Sequence, residues 1–149
     1  MKQKYSEIGI IVLLLIALPV TMAFSAPKGN ADVLFVRAVE TGKEIWTFDV
    51  TVSHPDTGWK DYANGWDVVL PDKTVLKTNS DNEFTRVLWH PHQTEQPFTR
   101  SQGGLKIPAA IEKVQVRAHD LVNGFGGKEV VVDLTQVKGD HFKVERIGN

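Results

Sequence analysis

The fold is decided by the stretch Trp46-Thr47-Phe48-Asp49-Val50-Thr51-Val52-Ser53, which alternates apolar and polar side chains without a break. Strict alternation with a period of two is typical of a β-strand that buries one face and exposes the other. The apolar side chains of this stretch are therefore expected in a core. The same period places His54, the next residue, on the buried face at the end of the strand.

Shorter runs of the same kind lie on both sides of this stretch. We predict strands over residues 33–39, 66–70, 75–89 with an interruption at 79–82, 98–101, 111–118 and 130–134. Gly103-Gly104 is expected to break the chain before an extended segment at 105–108. Turn signals about every ten residues, without a sustained helical period, predict an all-β fold. The specific prediction is an antiparallel immunoglobulin or fibronectin III-like β-sandwich of about seven strands.

The N-terminal residues have the pattern of an export signal. Lys2 and Lys4 precede an apolar run from Ile8 to Leu18, and Ala23-Phe24-Ser25 fits a signal peptidase site. We predict a signal peptide over residues 1–25 and a periplasmic or extracellular location. The alternative is an uncleaved anchor, because 8–24 is at the short limit for a membrane span. In that case alone the protein would contact the membrane, through this segment.

The remaining chain is long enough for one domain with its own core. We place the immunoglobulin-like domain at residues 26–134. The polar segment at 135–149 is predicted to be a tail or an extra edge strand.

Composition excludes several classes of function. The chain has no cysteine and a formal net charge of −1. Disulfides, thiolate metal sites and cysteine nucleophiles are therefore absent, and nothing indicates nucleic-acid binding. Any metal would be held by His, Asp or Glu.

The segment His90-Pro91-His92-Gln93-Thr94-Glu95 is the strongest candidate for a functional site. Side chains two residues apart on a strand point the same way, so two imidazoles can converge on one ion. We predict a copper or zinc site formed by His90, His92, Glu95 and His119, with Asp120 or His54 as further possible ligands. The alternative is structural: the histidines bond to backbone groups, and Glu95 pairs with Arg100.

Topology decides whether His54 joins these residues. Alternate loops of an antiparallel sandwich lie at the same end, which brings the loops at 91–97 and 120–127 together. If residues 74–90 cross the sandwich once, His54, His90, His92 and His119 all gather at one end. If the chain reverses at 79–82, His54 lies at the opposite end.

Aromatic residues in or beside loops suggest a second kind of site. Trp59, Tyr62 and Phe125 could bind an envelope protein or a glycan. An exposed sheet edge is another possible binding surface. Trp66, which begins an alternating run, is instead expected in the core.

Catalysis is not predicted. Ser53 or Ser101 could be combined with His119 and Asp120, but the chain has no nucleophile elbow and no glycine-rich loop that precedes a helix. Asp56 and Asp61 are interpreted as carboxylates of a solvated loop. We therefore expect a non-catalytic binding protein, with a structural or interaction module without metal as the alternative.

The chain resembles a family of small exported bacterial proteins of unassigned function. The resemblance rests on residues 59–69, on the combination His90-Pro91-His92 with Glu95-Gln96-Pro97-Phe98-Thr99-Arg100-Ser101, and on Ile107-Pro108. It extends over about 45–134, although this chain carries additional residues around 79–83. The family implies an envelope location and an immunoglobulin-like sandwich, and it implies no activity.

Overall fold

A computed structural model describes residues 29–147, so the predicted signal peptide lies outside the described residues. These residues form an all-β structure of ten strands without a helix. Accordingly, no helix among them has the length and apolar character that a membrane crossing requires. The strands are β1 Asp32–Gly42, β2 Ile45–Ser53, β3 Ala63–Val69, β4 Arg86–Val87, β5 Phe98–Lys106, β6 Lys113–Asp120, β7 Gly124–Phe125, β8 Val130–Asp133, β9 Lys138–Gly139 and β10 Phe142–Arg146.

The strands form two sheets, which confirms the predicted all-β sandwich. One sheet has the order β5-β2-β1-β10-β9, and the other has the order β4-β3-β6-β7, with β8 also paired to β6. One pairing departs from the antiparallel prediction, because β10 lies parallel to β1. The C-terminal segment thus supplies a strand inside the first sheet, between β1 and the two-residue strand β9.

The alternation of β2 produces the expected core. Trp46, Phe48, Val50 and Val52 are each at most 4% exposed, while the residues between them are half-buried. From the other sheet, Trp66 is completely buried, as its pattern predicted. Each large apolar side chain removed from water in this way contributes about 1.5–3 kcal/mol to folding.

Strand β3 is buried on both faces, because the long segment between β3 and β4 folds over its outer side. The ring of Phe84 lies so close to Gly65 that a Cβ atom at that glycine would be 2.0 Å from it. Thr85 also holds this segment against β3: its backbone N–H donates to Asp67 Oδ1, and its hydroxyl accepts from the backbone N–H of Val68.

The predicted strand over 75–89 is therefore mostly wrong. Only β4 and an isolated bridge between Val69 and Val75 remain of it. The side chain of Thr85 bonds to backbone groups of Val68 and Leu76 that a regular strand pairing would otherwise satisfy.

The predicted break at Gly103-Gly104 is also wrong, since β5 runs through both glycines. The pairing with β2 shifts between Trp46↔Leu105 and Phe48↔Gln102, which places one extra residue in β5. Gly104 has φ 71°, a conformation that glycine adopts without strain. The glycines thus form a β-bulge within one strand.

Residues 74–90 cross the sandwich once. Asp32 pairs with Ser53, Val52 with Phe98, and Ala63 with Asp120. These pairings bring four segments to one end of the sandwich: 29–31, 54–62, 88–97 and 120–126. We call this end the loop end. It carries His54, His90, His92 and His119 together, as the first topological alternative predicted.

Candidate metal centre

A cluster of buried polar side chains lies at the loop end. His54 directly follows β2, Asp56 and Asp61 lie in the following loop, and Asp120 ends β6. The side chains of His54, Asp56 and Asp120 are fully buried, and that of Asp61 is 5% exposed. Burying a carboxylate is costly unless hydrogen bonds or a cation compensate the lost hydration.

Asp56 is the centre of the hydrogen-bond network. Its Oδ1 atom lies 2.6 Å from His54 Nδ1 and accepts from the backbone N–H of Ala63 at 3.0 Å. Its Oδ2 atom accepts from the backbone N–H of His92 at 2.7 Å. One carboxylate thereby joins the end of β2, the start of β3 and the segment before β5. These bonds explain why the loop at 54–62 folds inward.

The contact with Asp56 also orients the His54 ring. An ionised carboxylate only accepts hydrogen bonds, so Nδ1 of His54 carries a proton and donates it to Asp56. The other ring nitrogen, Nε2, is buried and has no hydrogen-bond partner. A histidine held by a carboxylate in this way presents Nε2 as a ligand, an arrangement that recurs in zinc proteins.

Two carboxylates face this nitrogen. Asp61 Oδ1 lies 3.7 Å from His54 Nε2, and Asp120 Oδ2 lies 3.9 Å from it. Both distances are too long for a hydrogen bond. All three ligand atoms lie within 4.8 Å of one another. Ligands of a tetrahedral zinc ion, each about 2.0–2.1 Å from the metal, are about 3.4 Å apart, so a small inward movement would bring these three atoms to ligand distance from one ion.

Asp120 is held in place from its other side. Its Oδ1 atom accepts from the backbone N–H groups of Val122 and Asn123, at 3.0 Å and 2.6 Å. Its Oδ2 atom accepts from the backbone N–H of Ala31 at 3.3 Å, a long hydrogen bond that leaves this oxygen available to a stronger partner.

The charge balance of the cluster favours a cation. Three buried carboxyl groups, those of Asp56, Asp61 and Asp120, surround the single imidazole of His54. A divalent ion bound by Nε2 and two carboxylates would compensate two negative charges, and the Nδ1 proton would still be donated to Asp56. The arrangement is chemically suited to hold a metal ion.

The predicted metal ligands occupy different environments. Among residues 29–147, the group of potential ligands brought together is His54, Asp61 and Asp120, and none of the predicted four belongs to it. His92 is buried, and its ring stacks on Phe98 with 3.9 Å between the ring centres. Burial, followed by the nearby charges of Arg100 and His90, holds the pKa of His92 below its usual value. His92 is thus favoured in its neutral form.

The other three predicted ligands have protein partners of their own. His90 is exposed, and its Nδ1 lies 3.1 Å from the carbonyl oxygen of Pro91. Glu95 forms an ion pair of 2.9 Å with Arg100, and the hydrogen bond from Arg100 lowers the pKa of Glu95. His119 Nδ1 donates to Asn64 Oδ1 at 2.6 Å. This arrangement matches the structural alternative for Glu95 and, through a backbone carbonyl, for His90.

The predicted aromatic residues do not form one platform. Trp59 is 69% exposed and contacts Tyr62 edge to face. Phe125 instead packs against His119, and the guanidinium of Arg117 lies 3.9 Å from the centre of its ring. The sequence reasoning missed Trp89, which is 73% exposed at the loop end, because it was assigned to a strand.

The interpretation of Asp56 and Asp61 as solvated carboxylates is wrong. Both are buried, and Asp56 is held inside because it accepts from the backbone N–H groups of Ala63 and His92. One signal pointed to this site: the alternation of β2 placed His54 inside, and a buried histidine requires polar partners.

The chain is similar to a protein from Halomicrobium mukohataei that is named "Putative lipoprotein". The two are 37% identical over 104 residues, which cover 70% of this chain and 47% of the relative. The chain thus spans about half the length of the curated relative it matches. No family model matches the chain, and no solved structure matches it. The resemblance to small exported bacterial proteins remains a prediction.

Proposed function

We propose that the protein is an exported, non-catalytic module of the cell envelope that holds one divalent metal ion between His54, Asp61 and Asp120. The observation that carries the proposal is His54 Nε2, a buried nitrogen without a hydrogen-bond partner that faces two carboxylates. Its orientation is fixed by Asp56 before any ion binds.

The donor set indicates the kind of metal. One imidazole nitrogen and two carboxylate oxygens, without a thiolate, suit zinc better than a soft ion. The copper or zinc site predicted from the sequence depends on a pair of imidazoles at His90 and His92. Those two rings contact each other, with centres 4.6 Å apart, and among the described residues no third His, Asp or Glu completes a group with them. Zinc is therefore the ion we favour.

Two features support the location and the absence of catalysis. The relative is named a lipoprotein, and this chain begins with an apolar stretch of the export type, so we place the protein in the envelope or outside the cell. The cluster is closed to solvent, with its ligand side chains at most 5% exposed, so a substrate cannot reach the ion without a rearrangement. Such a site suits stabilisation or storage of an ion.

Metal content and thermal stability test the proposal. We expect untagged full-length protein to contain close to one equivalent of zinc. After chelation during refolding, added zinc should raise the melting temperature, since a ligand at 100 times its Kd stabilises the folded state by about 2.7 kcal/mol. The variant Asp61→Asn, which keeps the side-chain shape, should lose both effects, with at least a tenfold weaker affinity.

His90→Ala is the matched control, because it removes an exposed histidine at the same end and should keep both effects. Asp120→Asn provides a second variant if Asp61→Asn does not fold. A folded wild-type protein that contains no metal, and that zinc, manganese and copper all fail to stabilise, would refute the proposal. Equal binding by wild type and Asp61→Asn would refute the assignment of the site.

A further inference from the structure

Four of the eight large apolar side chains that are exposed among the described residues lie at the loop end. Trp89 follows β4, Tyr62 precedes β3, and Leu121 follows β6. The register places these strand ends side by side: Leu88 donates its backbone N–H to Asn64, and Leu121 donates its own to Tyr62. The exposed members of this rim are Trp59, Trp89, Leu121 and Val122, at 69%, 73%, 45% and 48% exposure. Several large apolar side chains exposed at one end of a domain indicate an interaction surface.

The chain also enters the sandwich at this end. The carbonyl oxygen of Gly29 accepts from the side chain of Asn123, and the side chain of Asn30 donates to the carbonyl of Gly126. In the sequence, four residues separate Gly29 from Phe24, the last residue of the apolar stretch. A chain of this length spans at most about 17 Å. The rim therefore cannot be far from any membrane into which residues 8–24 insert.

The charges of the loop end are compatible with a lipid surface. Asp56, Asp61 and Asp120 are buried, and Glu95, the exposed carboxylate of the loop end, forms an ion pair with Arg100. Lys60 is exposed beside Trp59. Tryptophan and tyrosine are the side chains that concentrate at the boundary between lipid headgroups and acyl chains, where their rings are apolar and their N–H or O–H remains hydrated.

We propose that residues 8–24 are retained as the membrane anchor, the alternative to a cleaved signal peptide, and that the loop end lies against the lipid bilayer with the rim of Trp59, Trp89, Leu121 and Val122 in the interfacial layer. The rim is thus covered by the lipid surface itself. The opposite end of the sandwich, which includes the turn between β5 and β6, then faces away from the membrane. This orientation does not depend on the metal site.

The absence of cysteine allows a direct test with single labels. Full-length Val122→Cys and Ala110→Cys would each be labelled with an environment-sensitive fluorophore and reconstituted into phosphatidylcholine vesicles with and without phosphatidylglycerol. Ala110 is the matched control, because it is exposed in the turn between β5 and β6 at the far end. We expect a blue-shifted, brighter emission at residue 122 and a water-like emission at residue 110. Water-like emission at both positions would overturn the proposal and favour a protein or glycan partner for the rim.

Intrinsic fluorescence provides a second measurement. Trp46 and Trp66 are buried, whereas Trp59 and Trp89 are exposed, so lipids brominated near the headgroup should quench up to about half of the tryptophan emission. The double variant Trp59→Phe/Trp89→Phe should lose this quenching while it keeps an apolar rim. Quenching that persists unchanged in the double variant would contradict contact of the rim with lipid.

Discussion

Replacing Asp56 tests whether one carboxylate holds the loop end together. Asp56→Ala removes the acceptor of three buried donors: His54 Nδ1–H and the backbone N–H groups of Ala63 and His92. A buried donor left without a partner costs about 1–3 kcal/mol. Three such groups cost about 3–9 kcal/mol, and entry of water into the vacated space should keep the loss near the lower limit. We expect about 4 kcal/mol.

That loss is large relative to the whole stability of a domain, about 5–15 kcal/mol. Asp56→Asn should cost less, about 1–3 kcal/mol, because the amide keeps one acceptor oxygen and introduces a competing donor. Urea unfolding followed by tryptophan fluorescence, with chelator present, measures these losses without a contribution from metal.

Asp140→Ala is the control, since Asp140 is an exposed aspartate of a turn and its removal should change the free energy of unfolding by no more than about 0.5 kcal/mol. A loss below about 1 kcal/mol for Asp56→Ala, with an unchanged urea dependence, would refute the reasoning. It would mean that water or a rearranged loop satisfies the three donors.

Three further predictions concern other parts of the molecule. Gly65→Ala should destabilise the protein by about 1–3 kcal/mol, because the added methyl collides with the ring of Phe84. In a chain that also carries Phe84→Leu, the same substitution should cost less. An equal cost of Gly65→Ala with Phe84 and with Leu at position 84 would contradict the collision. Thr85→Val should cost about 1–3 kcal/mol in urea unfolding, since the backbone N–H of Val68 loses its buried acceptor, and a neutral result would show that water replaces it. The folded state holds the pKa of His92 below 6.5, so the unfolded chain binds a proton more readily than the folded chain and stability decreases as the pH falls through 6.5. His92→Phe should weaken this pH dependence of the free energy of unfolding, measured between pH 7.5 and 5.5, by up to about 1.4 kcal/mol per pH unit. An unchanged pH dependence in the variant would show that other groups cause it.

The features that follow from local periodicity were predictable. The alternation of 46–53 identified the central strand, its buried face and the inward position of His54, and together with the turn signals it gave the sandwich. The same pattern correctly assigned Trp66 to the core. These outcomes depend on a side-chain period that the backbone geometry of a strand imposes.

The features that follow from distant parts of the chain were not predictable. Asp56 is buried because backbone donors at 63 and 92 converge on it, and no local pattern encodes that convergence. The side chain of Thr85 bonds to the backbone of Val68 and of Leu76 in place of a regular strand pairing, so the segment is irregular although its sequence has the period of a strand. The parallel partner of β1 is the last of the described strands, and this pairing depends on the arrangement of the whole sheet and not on a local pattern.

The parallel pairing of β1 with β10 has a consequence for synthesis and quality control. Among the described residues β1 is the first strand and β10 is the last, so one long edge of β1 stays open until residues 142–146 have left the ribosome. A chain that stops short of β10 presents that unpaired edge to other strands, and open edges promote aggregation. Protein truncated within β10 should therefore be sensitive to proteases, so that the pairing distinguishes chains that contain β10 from chains that lack it.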